Sequence, residues 1–247
     1  MGMASIKRLM KTPAVAISDF RTRRRQLAFY RPLVPKNVLS FDVGANIGNR
    51  VGLFLALGAI VVAIEPQPDC ARTLVRTYGR NTRFILVEKA VGAASGVATL
   101  RVPAASTIAS LSPDFISATQ ESGRFSQYSW DRDLKVEITT LDDLITQFGP
   151  PAFCKIDVEG YEAEVLSGLT QPLRSVSFEF TPEVIDIALA CIDRLDTIAS
   201  YEYNLSRGES MEWGLPHWVG STSIREILAM ERYPSWGDVY ARSKARE

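Results

Sequence analysis

One stretch limits what this chain can fold into: Leu39-Ser40-Phe41-Asp42-Val43-Gly44-Ala45-Asn46-Ile47-Gly48-Asn49-Arg50. An apolar run that reaches a carboxylate, then a loop with two glycines, then an amphipathic segment, reads as a buried strand turning sharply into a helix. Glycine lets the backbone approach a bound molecule, and the unpaired first N–H groups of the helix are donors for an anion. The junction is a ligand site by construction. A dinucleotide loop wants G-x-G-x-x-G, whose middle glycine touches a pyrophosphate. Here the loop is Gly44-x-x-x-Gly48, with Asn46 at that middle position. Asp42, two places before Gly44, suits a ligand bearing an ammonium or a sulfonium better than a pyrophosphate. The pattern favours S-adenosylmethionine over NAD.

A second apolar run, Ala59-Ile60-Val61-Val62-Ala63-Ile64, ends in Glu65-Pro66, and Glu65 lies 21 residues after Gly44. A βαβ unit places at that distance the acid that hydrogen-bonds ribose hydroxyls. Glu65 supports an adenosine without choosing between the two cofactors; a solvent-facing acid at a strand end is the alternative. Residues 68–78 read as a helix, and Arg83-Phe84-Ile85-Leu86-Val87 as a third strand ending at Glu88. This alternation implies a parallel α/β sheet with right-handed crossovers, whose ligands sit beyond the carboxyl ends of the strands. Asp42, Glu65 and Glu88 are expected there together. Glu88 with Lys89-Ala90-Val91 would line an adenine pocket, or Glu88 would pair with Lys89 or Arg83 at the surface.

A chain of 247 residues suffices for one large α/β domain and not for two. With 28 basic and 28 acidic residues the net charge is zero, which gives no electrostatic case for nucleic acid as a partner. Cys70, Cys154 and Cys191 contain no C-x-x-C, and His217 is the single histidine. Neither a disulfide framework nor a zinc site can be assembled from that set, and a reducing cytoplasm fits it best. The longest uncharged apolar run, residues 51–64, is 14 residues and breaks at Gly58. That is short of the ~20 residues that span a bilayer. The N-terminus lacks the apolar core and cleavage site of an export signal. It is basic nevertheless: Lys7, Arg8, Lys11, Arg21, Arg23, Arg24, Arg25 and Arg31 face only Asp19, so the first 31 residues carry +7 and the rest −7. This leader is expected as an extension over residues 1–35, before a domain over 36–247. It is either a solvated helix packed loosely on the domain or a contact for an anionic membrane surface, an acidic substrate or a partner.

Residues 97–102 and 136–139 alternate like short strands. Between them, residues 103–134 are rich in serine, threonine and glycine, with Phe115, Phe125, Tyr128 and Trp130 interspersed. A loop that long is expected as a lid over the substrate. The second dense stretch is Phe153-Cys154-Lys155-Ile156-Asp157-Val158-Glu159-Gly160-Tyr161-Glu162. Strand residues run into Asp157, two more acids follow, and Gly160 permits a tight turn into a helix over 163–169. Crowded like charges raise one another's pKa, which favours proton transfer or cation binding. Glu179 falls near the end of a strand over 175–180, and a helix runs from Pro182 to about Leu195. A strand over 201–205, a helix over 224–230 and a strand over 238–242 complete the pattern. Trp213, His217, Trp218 and Trp236 are candidates to wall the acceptor pocket. His217 is a candidate base because its charge changes near neutral pH.

Taken together, Phe41-Asp42-Val43-Gly44-Ala45-Asn46-Ile47-Gly48, Leu141-Asp142-Asp143-Leu144 and Lys155-Ile156-Asp157-Val158-Glu159-Gly160-Tyr161-Glu162 resemble the FkbM family of methyltransferases. The likeness runs from about Val38 to Arg242 and leaves the leader outside. It implies a class I methyltransferase, Rossmann-like α/β fold: a seven-stranded, mostly parallel sheet with a reversed last strand and helices on both faces. It implies S-adenosylmethionine as cofactor and, usually, O-methylation of a hydroxyl on a sugar, lipid or polyketide-type small molecule. Carried over by position, Asp42, Gly44, Asn46 and Gly48 would hold the methionine part of the cofactor and Glu65 the ribose. Glu88 with Ala90 would border the adenine, although family members often carry a small polar side chain where Glu88 stands. Lys155, Asp157 and Glu159 would face the reacting methyl group.

The implied reaction is an in-line attack of an acceptor hydroxyl on the sulfonium methyl, so the protein must align the atoms and take the hydroxyl proton. Asp157 or Glu159 is the first candidate for that base and His217 the second. A divalent cation such as Mg²⁺ held by Asp157, Glu159 and Glu179 is the alternative, since clustered oxygens suit it. Three rivals share the architecture. An NAD-binding oxidoreductase lacks its middle glycine here. A nucleic-acid methyltransferase would find a basic face only on the leader. A non-catalytic adenosine-binding module would have no use for the acids of residues 157–162.

Overall fold

The computed structural model describes residues 13–103, 108–232 and 234–244. Lys7, Arg8 and Lys11 of the basic leader lie outside the described residues. The chain runs through α1 (Pro13–Tyr30), β1 (Leu39–Val43), α2 (Asn49–Leu57), β2 (Ile60–Ile64), α3 (Pro68–Tyr78) and β3 (Phe84–Val87). A smaller unit follows: β4 (Ala90–Val91), β5 (Gly96–Val102), α4 (Pro113–Glu121) and β6 (Arg132–Thr139). The alternation resumes with α5 (Leu141–Phe148), β7 (Phe153–Ile156), α6 (Glu162–Ser167) and β8 (Ser175–Phe180). It closes with α7 (Ile185–Ile198), β9 (Tyr201–Arg207), α8 (Ser221–Ala229) and β10 (Gly237–Ser243).

The main sheet has seven strands in the order β3-β2-β1-β7-β8-β10-β9, and β10 runs antiparallel to both of its neighbours. This is the seven-stranded sheet with a reversed last strand that the resemblance implies. The chain winds outward from β1 to β3 and later returns to β7 on the other side of β1. The crevice beyond the carboxyl ends of β1 and β7 is therefore the topological switch point. Period-2 alternation divides each strand between two cores. Phe41, Val43, Ile156 and Phe178 pack with Leu144, Leu166, Ile192 and Leu228 of α5 to α8. Val61, Phe153 and Tyr240 pack on the other face with Phe54 and Leu74 of α2 and α3.

The Leu141-Asp142-Asp143-Leu144 motif holds this framework together. Thr140 caps α5 by accepting from the Asp143 N–H at 3.0 Å, while the Asp142 carboxylate takes the Thr170 N–H at 3.1 Å and its hydroxyl at 2.6 Å. Asp143 accepts from the Ser95 hydroxyl at 2.6 Å, tying α5 to the smaller unit.

Two expectations change. The packed unit begins before residue 36: Phe29, Tyr30, Leu33 and Val34 belong to the second core, and Tyr30 is fully buried among Phe54, Phe153 and Tyr240. Leader and domain are joined by aromatic packing, while Arg21, Arg23, Arg24 and Arg25 stay exposed on α1. The expected lid loop carries structure of its own. Residues 104–107 lie outside the described residues, but α4 falls inside this segment and β6 starts at Arg132, where it pairs antiparallel with β5 in a three-stranded sheet with β4. Trp130 donates its ring N–H to the Ile108 carbonyl at 3.1 Å, closing the segment on itself.

Because Tyr30 fills the second core, Tyr30→Ala should destabilise the protein by about 3–5 kcal/mol, as aromatic truncations in cores do. Tyr30→Phe should cost far less. Denaturant unfolding followed by intrinsic fluorescence measures both.

Candidate active site

Strand register lays polar side chains in rows across one face of the sheet. Asp42 pairs with Lys155, Lys155 with Ser177, and Ser177 with Tyr240. Two residues further toward the carboxyl ends stand Asp157, Glu179 and Asp238, the last two in register with each other. Side chains two apart share a face, so both rows look to the side of the sheet that α1 and α2 cover.

The turn after β1 is built on close approach. Gly44 has φ +80°, and a Cβ there would lie 1.9 Å from the Asp157 carbonyl oxygen, so only glycine lets the loops after β1 and β7 meet. Asn46 also adopts a left-handed φ of 49°, which asparagine tolerates. Its N–H donates to Glu65 Oε2 at 2.8 Å, and Gln67 donates its N–H to Oε1 at 2.8 Å. The residue that breaks the dinucleotide pattern thus fixes the ribose-binding candidate. Burial pushes Glu65 up to about 7, with these two N–H groups opposing the shift. Burial also lifts Asp42 to about 6, against the pull of Lys155. The Val51 N–H in the first turn of α2 donates to Asp42, so a donor expected to meet an anionic ligand group serves the protein's own carboxylate. Asp42 Oδ2 is buried without a hydrogen-bond partner.

At the end of β7, Lys155 is 1% exposed and its Nζ lies 2.5 Å from Asp157 Oδ2. Burial disfavours the ammonium, but Asp157 and then Asp238 keep it charged. Burial likewise pushes Asp157 up, and Lys155 outweighs it, holding the carboxyl below its usual range. Asp157, Glu159 and Glu179 each bring a carboxylate oxygen within 4.8 Å of the others. Glu159 is raised well above the ordinary range by burial and then by Asp157; Glu179 by burial and then by Glu159. Glu159 is held at φ 54°, and the next residue, Gly160, lies so close to Phe115 that a Cβ would sit 2.4 Å from its Cβ. The last acid of the motif, Glu162, has a different task. Its buried Oε1 accepts the N–H groups of Val158 at 3.1 Å and Gly160 at 3.2 Å, clamping the turn that carries Glu159.

A layer beneath these acids has little signature in the sequence. Arg50 donates to both carboxylate oxygens of Glu209, at 2.6 and 2.7 Å, with its guanidinium 5.9 Å from the Tyr30 ring centroid. Tyr240 donates to Asp238 Oδ2 at 3.3 Å and lies 3.5 Å from the Tyr30 hydroxyl. The one available signal is the two-residue spacing of Asp238 and Tyr240 in β10; nothing in the sequence ties Tyr30 to them.

A cavity of about 420 Å³ opens onto the turns after β1 and β7. Of the site residues expected from the sequence, Asp42, Gly44, Asn46, Glu65, Ala90, Lys155, Asp157 and Glu159 line it. The segment between β5 and β6 supplies Leu111, Phe115, Arg124 and Phe125 as one wall, and is fastened by the Ser110 hydroxyl to the Glu159 carbonyl at 2.6 Å. Three expected residues are elsewhere. Glu88 is exposed and outside the lining, while its neighbour Lys89 pairs with Glu137 at 3.0 Å. Gly48 opens α2 against Tyr78, whose hydroxyl donates to the Gly48 carbonyl at 2.9 Å, and does not line the cavity. His217 is exposed and away from the lining, which removes the geometric basis for its role as a base. Its neighbours Trp213 and Trp218 border a cleft at the opposite, amino-terminal end of the strands, with the Arg242 guanidinium 4.4 Å from the Trp218 ring centroid. Of that aromatic group only Trp236 reaches the cavity.

A 3-2-1 winding that resumes on the far side of β1 and ends in one reversed strand marks a class I methyltransferase architecture. Residues 42–204 match the methyltransferase FkbM domain, and the chain belongs to that family. Hexuronic acid methyltransferase AglP of Haloferax volcanii is 31% identical over 166 residues, which are 66% of this chain and 62% of that protein. The match thus spans less than two thirds of that relative. Among solved structures, precorrin-6y C5,15-methyltransferase from Geobacter metallireducens overlays with a TM-score of 0.47 at 11% identity, covering 98% of this chain and 94% of its own. An rRNA methylase from Streptococcus thermophilus gives 0.44 at 7% identity, covering 88% and 93%. Both overlays are loose.

Burial lifts Glu162 to about 7 in the folded protein, above its unfolded value. Its contribution to stability is full below the ordinary carboxylate range and is lost as pH rises through that value. Melting temperature should therefore fall between about pH 5 and pH 8, and fall less in Glu162→Gln, whose amide oxygen still accepts the two N–H groups. Glu162→Ala should lose roughly 1–3 kcal/mol at every pH by leaving those donors unpaired.

Proposed function

We propose that this chain transfers a methyl group from S-adenosylmethionine to a hydroxyl of a sugar-type small molecule, in the cytoplasm. The observation that carries the reading is one cavity with a buried, unpartnered carboxylate oxygen on Asp42 at one end of the Lys155 row and the Asp157–Glu159–Glu179 cluster beside it. The cavity fits the cofactor by the chemistry of its donors. Asp42 Oδ2 suits the ammonium, Gly44 permits close backbone approach, and Glu65, locked by two N–H groups, is set for ribose hydroxyls. Ala90 and Val91 offer an apolar border for the base. The buried free cysteines suit a reducing compartment, and no helix among the described residues is long and apolar enough to cross a membrane. The exposed arginines of α1 are the part of the surface suited to an anionic partner or membrane.

When bound, the cofactor supplies an electrophilic methyl group on sulfur. The protein's part is to align the acceptor oxygen and to accept its proton. Lys155 holds Asp157 ionised and therefore a weak base. Glu159, raised by burial and by Asp157, is the stronger base once it is deprotonated, and Glu179 is its like-charged neighbour. Low pH keeps Glu159 and Glu179 protonated, so transfer should climb with pH beyond the ordinary carboxylate range and then level. Glu179→Gln removes a like charge and should move that limb to lower pH. Glu159→Gln should lower turnover by about 10²–10⁴-fold while leaving cofactor affinity within a factor of a few. If Asp157→Asn and Glu159→Gln both turn over like the wild type, the base is not in this cluster.

A second reading, a divalent cation such as Mg²⁺ on Asp157, Glu159 and Glu179, is favoured by the 4.8 Å grouping of their oxygens. Lys155 already serves Asp157 as its cation, which weighs against it. Full activity in EDTA removes this reading. The first experiment is calorimetric titration with S-adenosylmethionine and separately with NADH, on wild type and Glu65→Ala. Binding of the first alone, weakened in the variant, is the expected result; binding of NADH alone would favour an oxidoreductase.

A further inference from the structure

The charges of the cavity bear on the class of acceptor, on the reading that this is a methyl-transfer site. Six carboxylates and four cations line it. Each cation is already held by an acid: Lys155 by Asp157, Arg50 by Glu209, Arg124 by Glu183 and Lys89 by Glu137. The Arg124–Glu183 pair is two-pronged, at 2.8 and 3.0 Å, with side chains only 13% and 6% exposed. The pair engages Arg124 through Nε and Nη2, so a ligand carboxylate would either break a buried ion pair or share a guanidinium whose charge Glu183 already meets. Glu159 and Glu179 make the opposite case. Their carboxylates have no hydrogen-bond or ion-pair partner among the described residues, and they crowd with Asp157 within 4.8 Å. The same cavity is lined by Phe115, Phe125 and Trp236. Hydrogen-bond acceptors together with aromatic surface match a sugar ring, whose hydroxyls donate at its edge and whose C–H face is apolar.

We propose that the acceptor is an uncharged, hydroxyl-bearing sugar unit, selected against the corresponding hexuronic acid by the Asp157–Glu159–Glu179 cluster. In the deprotonated state that takes the hydroxyl proton, a ring carboxylate would stand beside Glu159 and Glu179 as like charges, with every lining cation already held by an acid of the protein. The chemistry agrees. As the oxygen–methyl bond forms, the carbon–sulfur bond breaks with its electron pair staying on sulfur, and the hydroxyl proton passes to the cluster. A carboxylate acceptor has no proton to give, and esterification would leave the cluster without a task. The hexuronic acid in the name of the Haloferax volcanii relative is therefore not the acceptor this cavity suits.

The test uses matched pairs: methyl glycosides of glucose, galactose and mannose against those of their uronic acids. Binding to the whole chain saturated with S-adenosylhomocysteine is measured first by calorimetry, where no turnover occurs, on the level part of the pH profile where the cluster is deprotonated. Transfer from labelled S-adenosylmethionine follows, with products treated with mild alkali, which cleaves methyl esters and spares ethers. The neutral member of at least one pair should bind about 10- to 100-fold more tightly than its uronic acid, the scale of an uncompensated like-charge contact. Its product should be alkali-stable. Glu179→Gln should narrow the ratio within that pair. Equal or tighter binding of the uronic acid, or an alkali-labile product, overturns this proposal and leaves the methyltransferase reading intact. Cofactor binding with no binding of any sugar overturns the sugar acceptor and this proposal together. Failure to bind S-adenosylmethionine or S-adenosylhomocysteine removes the methyltransferase reading on which both rest.

Discussion

An ammonium buried in the middle of a parallel sheet is what the site of this protein is arranged around. Removing Lys155 from water costs several kcal/mol unless its charge is met at close range. Asp157 meets it at 2.5 Å, Asp42 stands in register on β1, and Asp238 acts from β10 two strands away. The dependence runs both ways. Without the cation, Asp157 and Glu159, crowded with Glu179, would have lost their strongest pull toward the ionised form, and the largest pull that opposes the burial of Asp42 would be gone.

The geometry of the acids comes from backbone constraints as much as from charge. The turn after β7 contains a left-handed Glu159 and a glycine pressed against Phe115, and it persists because Glu162 takes two of its N–H groups. The segment between β5 and β6 is fastened to the same turn through Ser110 and to the start of α7 through Arg124 and Glu183. One carboxylate of the motif builds the turn, a second pairs with Lys155, and Glu159 faces the cavity without such a partner. Residue type alone does not separate those roles.

Much of the fold was legible because hydrophobic periodicity is local. Strand and helix alternation gave the parallel sheet, and the ends of β1, β2, β7 and β8 fell within a residue or two of the apolar runs. The misreadings share one cause. Residues 103–134 looked like a loop because their apolar residues follow no long period, yet α4 is folded there by contacts with Gly160 and Glu183 that are distant in sequence. The basic leader looked separable because its charges dominate, yet Phe29 and Tyr30 anchor it. Trp213, His217 and Trp218 looked like part of the site because they are chemically distinctive, yet the loop they occupy serves the other end of the sheet.

By itself the sequence determined the fold class, the glycine turn over β1, the acid after β2 and the acid-rich turn after β7, because each is written in a few consecutive residues and in the alternation around them. Only the tertiary structure decided which acids act together. Glu179, named from the sequence as a third ligand in the cation alternative, stands with Asp157 and Glu159, Glu162 turns inward, Glu88 and His217 drop out, and Tyr30, Arg50, Asp238 and Tyr240 form the supporting layer. Those groupings depend on strand order and register across β1, β7, β8 and β10. Residues up to 210 positions apart are brought to one face by backbone pairing and burial, which no local pattern encodes.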